Sequence, residues 1–116
     1  MVTRGQIVAA LGTVPGITPS SSKTGPISAG DAWPVWTGTR WANTVPGGVR
    51  LGSWYVLVAL PDTGADVTTA EGDALVETIG AALIAAGLQI DVVEPARTQV
   101  TDTSPGVPVL RYTVHD

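Results

Sequence analysis

Apolar residues recur along this chain in two rhythms, and the change from one to the other marks its elements. Thr3-Arg4-Gly5-Gln6 fits a capping box, and Ile7, Val8 and Leu11 follow on one helical face. Gly12 and Pro15 stop the run, so a first helix is predicted over 4–13. Residues 16–32 are rich in Gly, Pro, Ser and Thr and read as a loop with a short strand near Ile17. Over 33–41 the rhythm becomes alternation, with Trp33, Val35 and Thr37 opposite Trp36. Pro34 cannot donate a ladder hydrogen bond, which places this strand at an edge or at a strand start. Residues 53–60 are apolar in both alternating sets, Trp54/Val56/Val58/Leu60 and Tyr55/Leu57/Ala59, the pattern of a central strand buried on both sides. The two strands most simply form an antiparallel hairpin joined through 42–51.

A second capping box, Thr68-Thr69-Ala70-Glu71, opens a helix that runs to Ala86, with Gly87 as a left-handed stop. At about 100° per residue, Leu75, Val76, Ile79, Ala82, Leu83 and Ala86 share an arc of roughly 120° that faces the sheet. Asp73, Glu77 and Ile84 lie opposite, and Gly80, Ala81, Ile84 and Ala85 make the second half apolar all round, as in a helix covered by something else. Residues 88–94 alternate, Leu88, Ile90 and Val92 against Gln89 and Asp91. A loop through Pro95 and Ser104-Pro105-Gly106 leads to a last strand over 107–114, with Leu110, Tyr112 and Val114 on one face and Arg111 and Thr113 on the other. The order is α-(β)-β-β-α-β-β. It predicts an α+β fold: a mixed or antiparallel sheet of four to five strands with two helices.

The length of 116 residues suits a single domain over 1–116. Hydrophobic residues make up 44% and charged residues only 14%, so much of the surface is uncharged, as expected where partner subunits cover it. A net charge of -4 argues against a DNA-gripping footprint, which needs Lys and Arg on phosphates. There is no Cys for disulfides or thiolate metal sites, and no apolar run reaches membrane-spanning length. These features lead us to expect a soluble protein of a cytoplasmic setting, without a cofactor.

Asp62-Thr63-Gly64-Ala65-Asp66 follows the central strand, and the string resembles the signature of small dimeric aspartic proteases. In that reading Asp62 shares a proton with its dimer mate. The residues that follow argue against it, because a helix begins within six residues of Asp62, where such enzymes place a long β-rich segment and a flap. Pro61-Asp62 with Gly64 reads more simply as a strand-to-helix turn capped by Thr68. Asp62, Asp66, Glu71, Asp73 and Glu77 gather half of the ten acids, and no Lys or Arg lies between Arg50 and Arg97. The spacing does not fit an EF-hand loop. A solvated helix start explains Glu71 and Asp73, and an acidic lining inside an assembly is the functional reading. His115, the only histidine, has no motif-placed nucleophile beside it. The glycines form neither a P-loop nor a dinucleotide fingerprint. The four Trp (33, 36, 41 and 54) come without a Lys/Arg groove, so packing or subunit contact is their expected role.

The whole outline resembles the tail terminator (tail completion) proteins of long-tailed bacteriophages, especially the short forms from phages of actinobacteria. The resemblance lies in the opening helix over Thr3–Val14 and in the strand entry Gly30-Asp31-Ala32-Trp33-Pro34-Val35-Trp36. It continues through the strand Trp54–Leu60, the Pro61-Asp62 turn, the helix Ala70–Ala86 and the two closing strands. It implies an α+β sandwich that forms a hexameric ring at the head-proximal end of the virion tail. Such a ring docks on the tail tube protein, stops polymerisation, meets the head–tail connector or neck proteins, and lets DNA pass through its lumen without specific binding. No membrane, metal or chemistry is implied. On that reading Gly80, Ala81, Ile84 and Ala85 form one ring interface and Trp33, Trp36 and Trp41 the other, while Asp62, Asp66, Asp73 and Glu77 line the lumen. The alternatives are another head–tail joining ring protein (head closure or adaptor), a dimeric aspartic protease using Asp62, and a small ligand-binding domain. The last needs a polar cluster in an apolar pocket, and the sequence offers none.

Overall fold

The computed structural model describes residues 2–22, 26–42, 49–59, 70–98 and 107–116. The element order is α1 (Arg4–Leu11), β1 (Thr18–Pro19), β2 (Asp31–Ala42), β3 (Val49–Ala59), α2 (Ala70–Ala85), β4 (Gln89–Thr98) and β5 (Val107–His115). The fold is α+β, with a five-stranded sheet in the order β1-β2-β3-β5-β4. Among the described residues only the β1–β2 pair is parallel, so the sheet is mixed.

The start of α1 follows its residues. Thr3 Oγ1 accepts from the Gln6 backbone N–H at 3.2 Å, and Gln6 Oε1 accepts from the Thr3 N–H at 2.8 Å. At the end of α2, the N–H of Leu88 donates to Leu83 and that of Gly87 to Ile84, a left-handed stop with Gly87 at φ 98°. The Thr68 box and the Asp62 turn lie outside the described residues.

Both helices pack on one face of the sheet. Ile7 and Leu11 of α1 and Ile79 and Leu83 of α2 meet Trp54, Val56 and Val58 of β3 and Leu110, Tyr112 and Val114 of β5 in one buried core. Helix α1 covers the β1–β2 side, and α2 packs over β4. Among the described residues the opposite face holds a small cluster, Trp33, Ala59 and Val109 with Ile27, Leu57 and Ala96 around it. Strand β3 is therefore central, yet Tyr55 and Leu57 are only half-buried, which corrects the expectation of burial on both sides. The physical reason is that the chain places its two helices on the same side.

Two single-residue bulges re-aim side chains. Between Trp36 and Gly38 in β2, and between Ile90 and Val92 in β4, one residue has no partner in the ladder. In β4 the inserted residue is Asp91. It turns Val92 outward, where alternation from Ile90 places it inward, and lets Val93 pack on the core instead. Strand β4 also runs through Pro95 to Thr98, in place of the loop expected from the proline. Pro95 lies in a strand at the sheet's edge, where a missing N–H leaves no ladder bond broken.

The β2 edge is organised the same way. The carbonyls of Gly30 and Ala32 accept from Thr18 and Ser20. The next outward carbonyl, that of Pro34, takes the Arg4 guanidinium at 2.9 Å. Backbone N and O of a strand residue point to the same side, so the ring nitrogen of Pro34 faces outward, just past the end of β1. Arg4 also reaches the Ser21 carbonyl at 2.6 Å and lies 5.2 Å from the Trp54 ring centre.

Tyr112 is wholly buried, and its hydroxyl donates to the Val76 carbonyl at 3.0 Å, tying β5 to α2. Burial pushes this phenol well above its ordinary value of 10.0. The neutral form is thus favoured in the folded state, and stability is constant below about pH 10 and falls as pH rises toward the folded-state value. By pH 11 the loss is about 1.4 kcal/mol. Tyr112→Phe is expected to cost about 1 kcal/mol at neutral pH and to remove this alkaline loss. Urea melts of both proteins at pH 7 and pH 11 check it, and parallel declines would refute it.

Candidate functional site

The residues singled out in the sequence fall into three groups in space. On α2 the row Glu77, Ala81, Ile84 and Ala85 faces outward, and Ile84 is 60% exposed. Gly80 does not belong to it. Gly80 is buried, and a Cβ built there would lie 3.4 Å from Ile90 Cδ1. Its small size lets α2 approach β4, so its role is within the subunit, a correction to its expected place on the outer strip. Asp73 lies in α2, its side chain outside the described residues, as are Asp62 and Asp66 altogether.

Among the tryptophans, Trp33 is buried with Ala59 and Val109 in its own subunit, a second correction to the expected interface. The cause is register: Trp33 pairs with Leu57 on the face away from the helices, where it fills the small second cluster. Trp36, by contrast, is 54% exposed, its Nε1 donating to Thr39 Oγ1 at 3.1 Å. Beside it, Arg4, Ser22, Trp33, Pro34 and Val35 line a shallow hollow of about 330 Å³. Trp41 lies in β2, with its side chain outside the described residues. The exposed Trp36 and the outer strip of α2 thus sit on opposite sides of the subunit, one toward β2 and the other over β4.

The third group is one that spacing along the chain does not reveal. Ser53, Asp91 and His115 line an open hollow of about 310 Å³ together with Leu51. His115 Nδ1 lies 3.0 Å from Asp91 Oδ2, and Ser53 is the direct cross-strand partner of His115. The β4 bulge delivers Asp91 to the ring, and the adjacent Val92 and Val93 are the one trace of that insertion in the sequence. The residue types suggest a serine nucleophile with its base and orienting acid. The geometry does not support that chemistry. Ser53 makes no hydrogen bond to the imidazole among the described residues. It stands in register between Gly38 and His115, so the amides of β3 are committed to two ladders. The neighbouring Gly52 N–H is taken by the Asp116 carboxylate at 3.2 Å. Amide donors for an oxyanion are therefore lacking on this strand. The His115–Asp91 pair ties β5 to β4, and Ser53 stands beside it on β3.

Beside it on the same face, Arg111 pairs with Glu94 and lies 4.8 Å from the Tyr55 ring centre. The hydrogen bond to Glu94 raises the guanidinium pKa, so Arg111 stays charged. Among the described residues, no three His, Cys, Asp or Glu side chains converge as metal ligands. No helix among them is long and apolar enough to cross a membrane. No protein-family model matches the chain, and no curated protein matches it at a significant level.

Proposed function

We propose that this chain is a ring-forming structural subunit that caps a bacteriophage tail tube, a tail terminator that ends tube growth and presents a joining surface to the neck. The observation that carries the reading is the pair of unlike apolar patches on opposite sides of one subunit: Ile84 with Ala81 and Ala85 on α2, and the exposed Trp36 toward the β2 side of the sheet. A self-complementary dimer needs one patch that meets itself. Two different patches on opposite flanks instead support head-to-tail contact, which closes into a ring when the rotation per subunit allows. Aromatic anchors and close-packing small residues are the usual centres of such contacts. The resemblance in element order supplies the tail, the hexamer and the tube and neck partners. The acidic segment from Asp62 to Glu77 suits a lumen through which DNA slides without being held. An enzymatic reading finds less support, since α2 begins at Ala70, eight residues after Asp62, and the Ser53 trio lacks amide donors.

Negative-stain imaging of the purified protein, with and without tube protein, tests the proposal. The expected result is a closed annulus of about six subunits docked at one end of the tube. A strict monomer with tube protein present would overturn it. Annuli that bind neck proteins and ignore the tube would move the assignment to a head-closure or adaptor ring.

A further inference from the structure

The β2–β3 hairpin is longer than the sheet that supports it. Strand β5 pairs with β3 only from Ser53 to Ala59, and its last contact is the Asp116 N–H on the Gly52 carbonyl. Beyond that point Thr39–Ala42 pair with Val49–Gly52 and with no third strand among the described residues. A two-stranded ribbon is marginal in water unless something packs on it.

Its charge says what could. From residue 32 to residue 61 the chain has no acid, and its two charged residues are Arg40 and Arg50, both in the ribbon. From residue 51 to residue 96 it has no base and seven acids, Asp62, Asp66, Glu71, Asp73, Glu77, Asp91 and Glu94. Glu71, Asp73 and Glu77 belong to α2, and the exposed Glu77 stands one turn before Ala81 on the outward row that continues to Ala85. Register places Arg50 opposite Trp41 and Arg40 opposite Leu51, so the ribbon combines two cations with large apolar residues. Helix α2 carries its three acids in the first half and the outward Ala81, Ile84 and Ala85 in the second. One chain therefore carries both halves of a complementary contact.

We propose that the distal hairpin ribbon, Thr39–Ala42 with Val49–Gly52, is an arm that seats on α2 around the exposed Glu77 in the next copy of this chain. The proposal rests on the ring reading above and names the contact that would close the ring. Attraction between Arg40 and Arg50 and the Asp73–Glu77 row steers the arm, and salt screens it.

The test uses sedimentation of the full chain at 50 mM and 500 mM salt. Wild-type assembly is expected to weaken at least tenfold at the higher salt. R40E/R50E is expected to lose assembly at least tenfold at low salt while its circular dichroism is unchanged. D73K/E77K should do the same. The protein carrying all four changes should regain assembly, a rescue that a general loss of folding cannot produce. If wild type forms rings but R40E/R50E forms them equally well, or if the fourfold variant is not rescued, the arm assignment is wrong and the ring stands. Rings that stay intact in R40E/R50E but lose retention on DNA would assign the arm to the lumen instead. A wild type that is monomeric throughout overturns the ring reading and the arm with it.

Discussion

Replacing Ile84 by Glu is expected to leave the subunit folded and to abolish its assembly. Ile84 is 60% exposed on the outward row of α2 and is no member of the buried core, and Glu is as good a helix former as Ile or better. Surface changes of this kind alter folding stability by about 0.5 kcal/mol or less. At an assembled interface the same change exchanges a packed apolar side chain for a carboxylate. Removing a central anchor in this way costs about 2 kcal/mol or more, roughly a 30-fold weakening at each interface. The carboxylate also adds to the negative charge of Glu77 two helical turns away, which penalises close approach of any neighbour that lacks a cation there. Thermal melts paired with light scattering separate the two effects. Equal melting temperatures with a fall from oligomer to monomer are the expected pair. An unchanged oligomer would remove α2 from the interface.

Gly30→Ala is expected to be among the most damaging single changes to folding outside the core. Gly30 has φ 86°, and a Cβ there would lie 2.6 Å from the Gly16 carbonyl oxygen, a backbone atom that cannot step aside. Its own N–H and C=O are also engaged, the first with Ala59 and the second with Thr18. The left-handed backbone costs about 1–2 kcal/mol for a residue with a side chain, and forced repacking adds a similar amount. The sum of about 3 kcal/mol is a large part of a typical domain's net stability. Gly16→Ala is the matched control. It has a similar φ of 82° but nothing within 4 Å of the added carbon, so only the backbone component, about 1 kcal/mol, should be lost. Denaturant midpoints of the two variants measure the difference, and equal losses would show that the close approach is not what matters. The pair also tests how firmly β1 is docked, because Gly30 is the hinge between the loop, β2 and β3.

Much of this fold is legible in the residues. The Thr3–Gln6 box, the Leu83-to-Leu88 helix stop, the hairpin and the inward residues Leu110, Tyr112 and Val114 all follow from local chemistry acting over a few positions. What is not legible depends on how distant segments meet. Alternation alone puts Val92 inward, and the unpaired Asp91 reverses it. Adjacent Val92 and Val93 are the one local sign of a broken alternation. Pro95 reads as a stop only if the strand is assumed to have neighbours on both sides. Gly80 resembles part of an outer strip because helical angles do not show how close a neighbouring strand comes. Trp33 resembles an anchor for partners because its second-face pocket is built by Ala59 and Val109, far away in the chain. The Ser53–Asp91–His115 group is of the same kind, assembled from three strands and invisible to any spacing rule.

Both borders of the sheet carry a proline and a one-residue insertion, Pro34 with the irregularity after Trp36 and Pro95 with Asp91. Such borders are poor templates for another backbone. Crowding many copies onto one structure concentrates strands to levels at which flat, unguarded margins zip into fibrils. Here the main chain obstructs that route at Pro34 and Pro95, which favours contacts made by side chains over endless strand addition, and such contacts can end in a closed object.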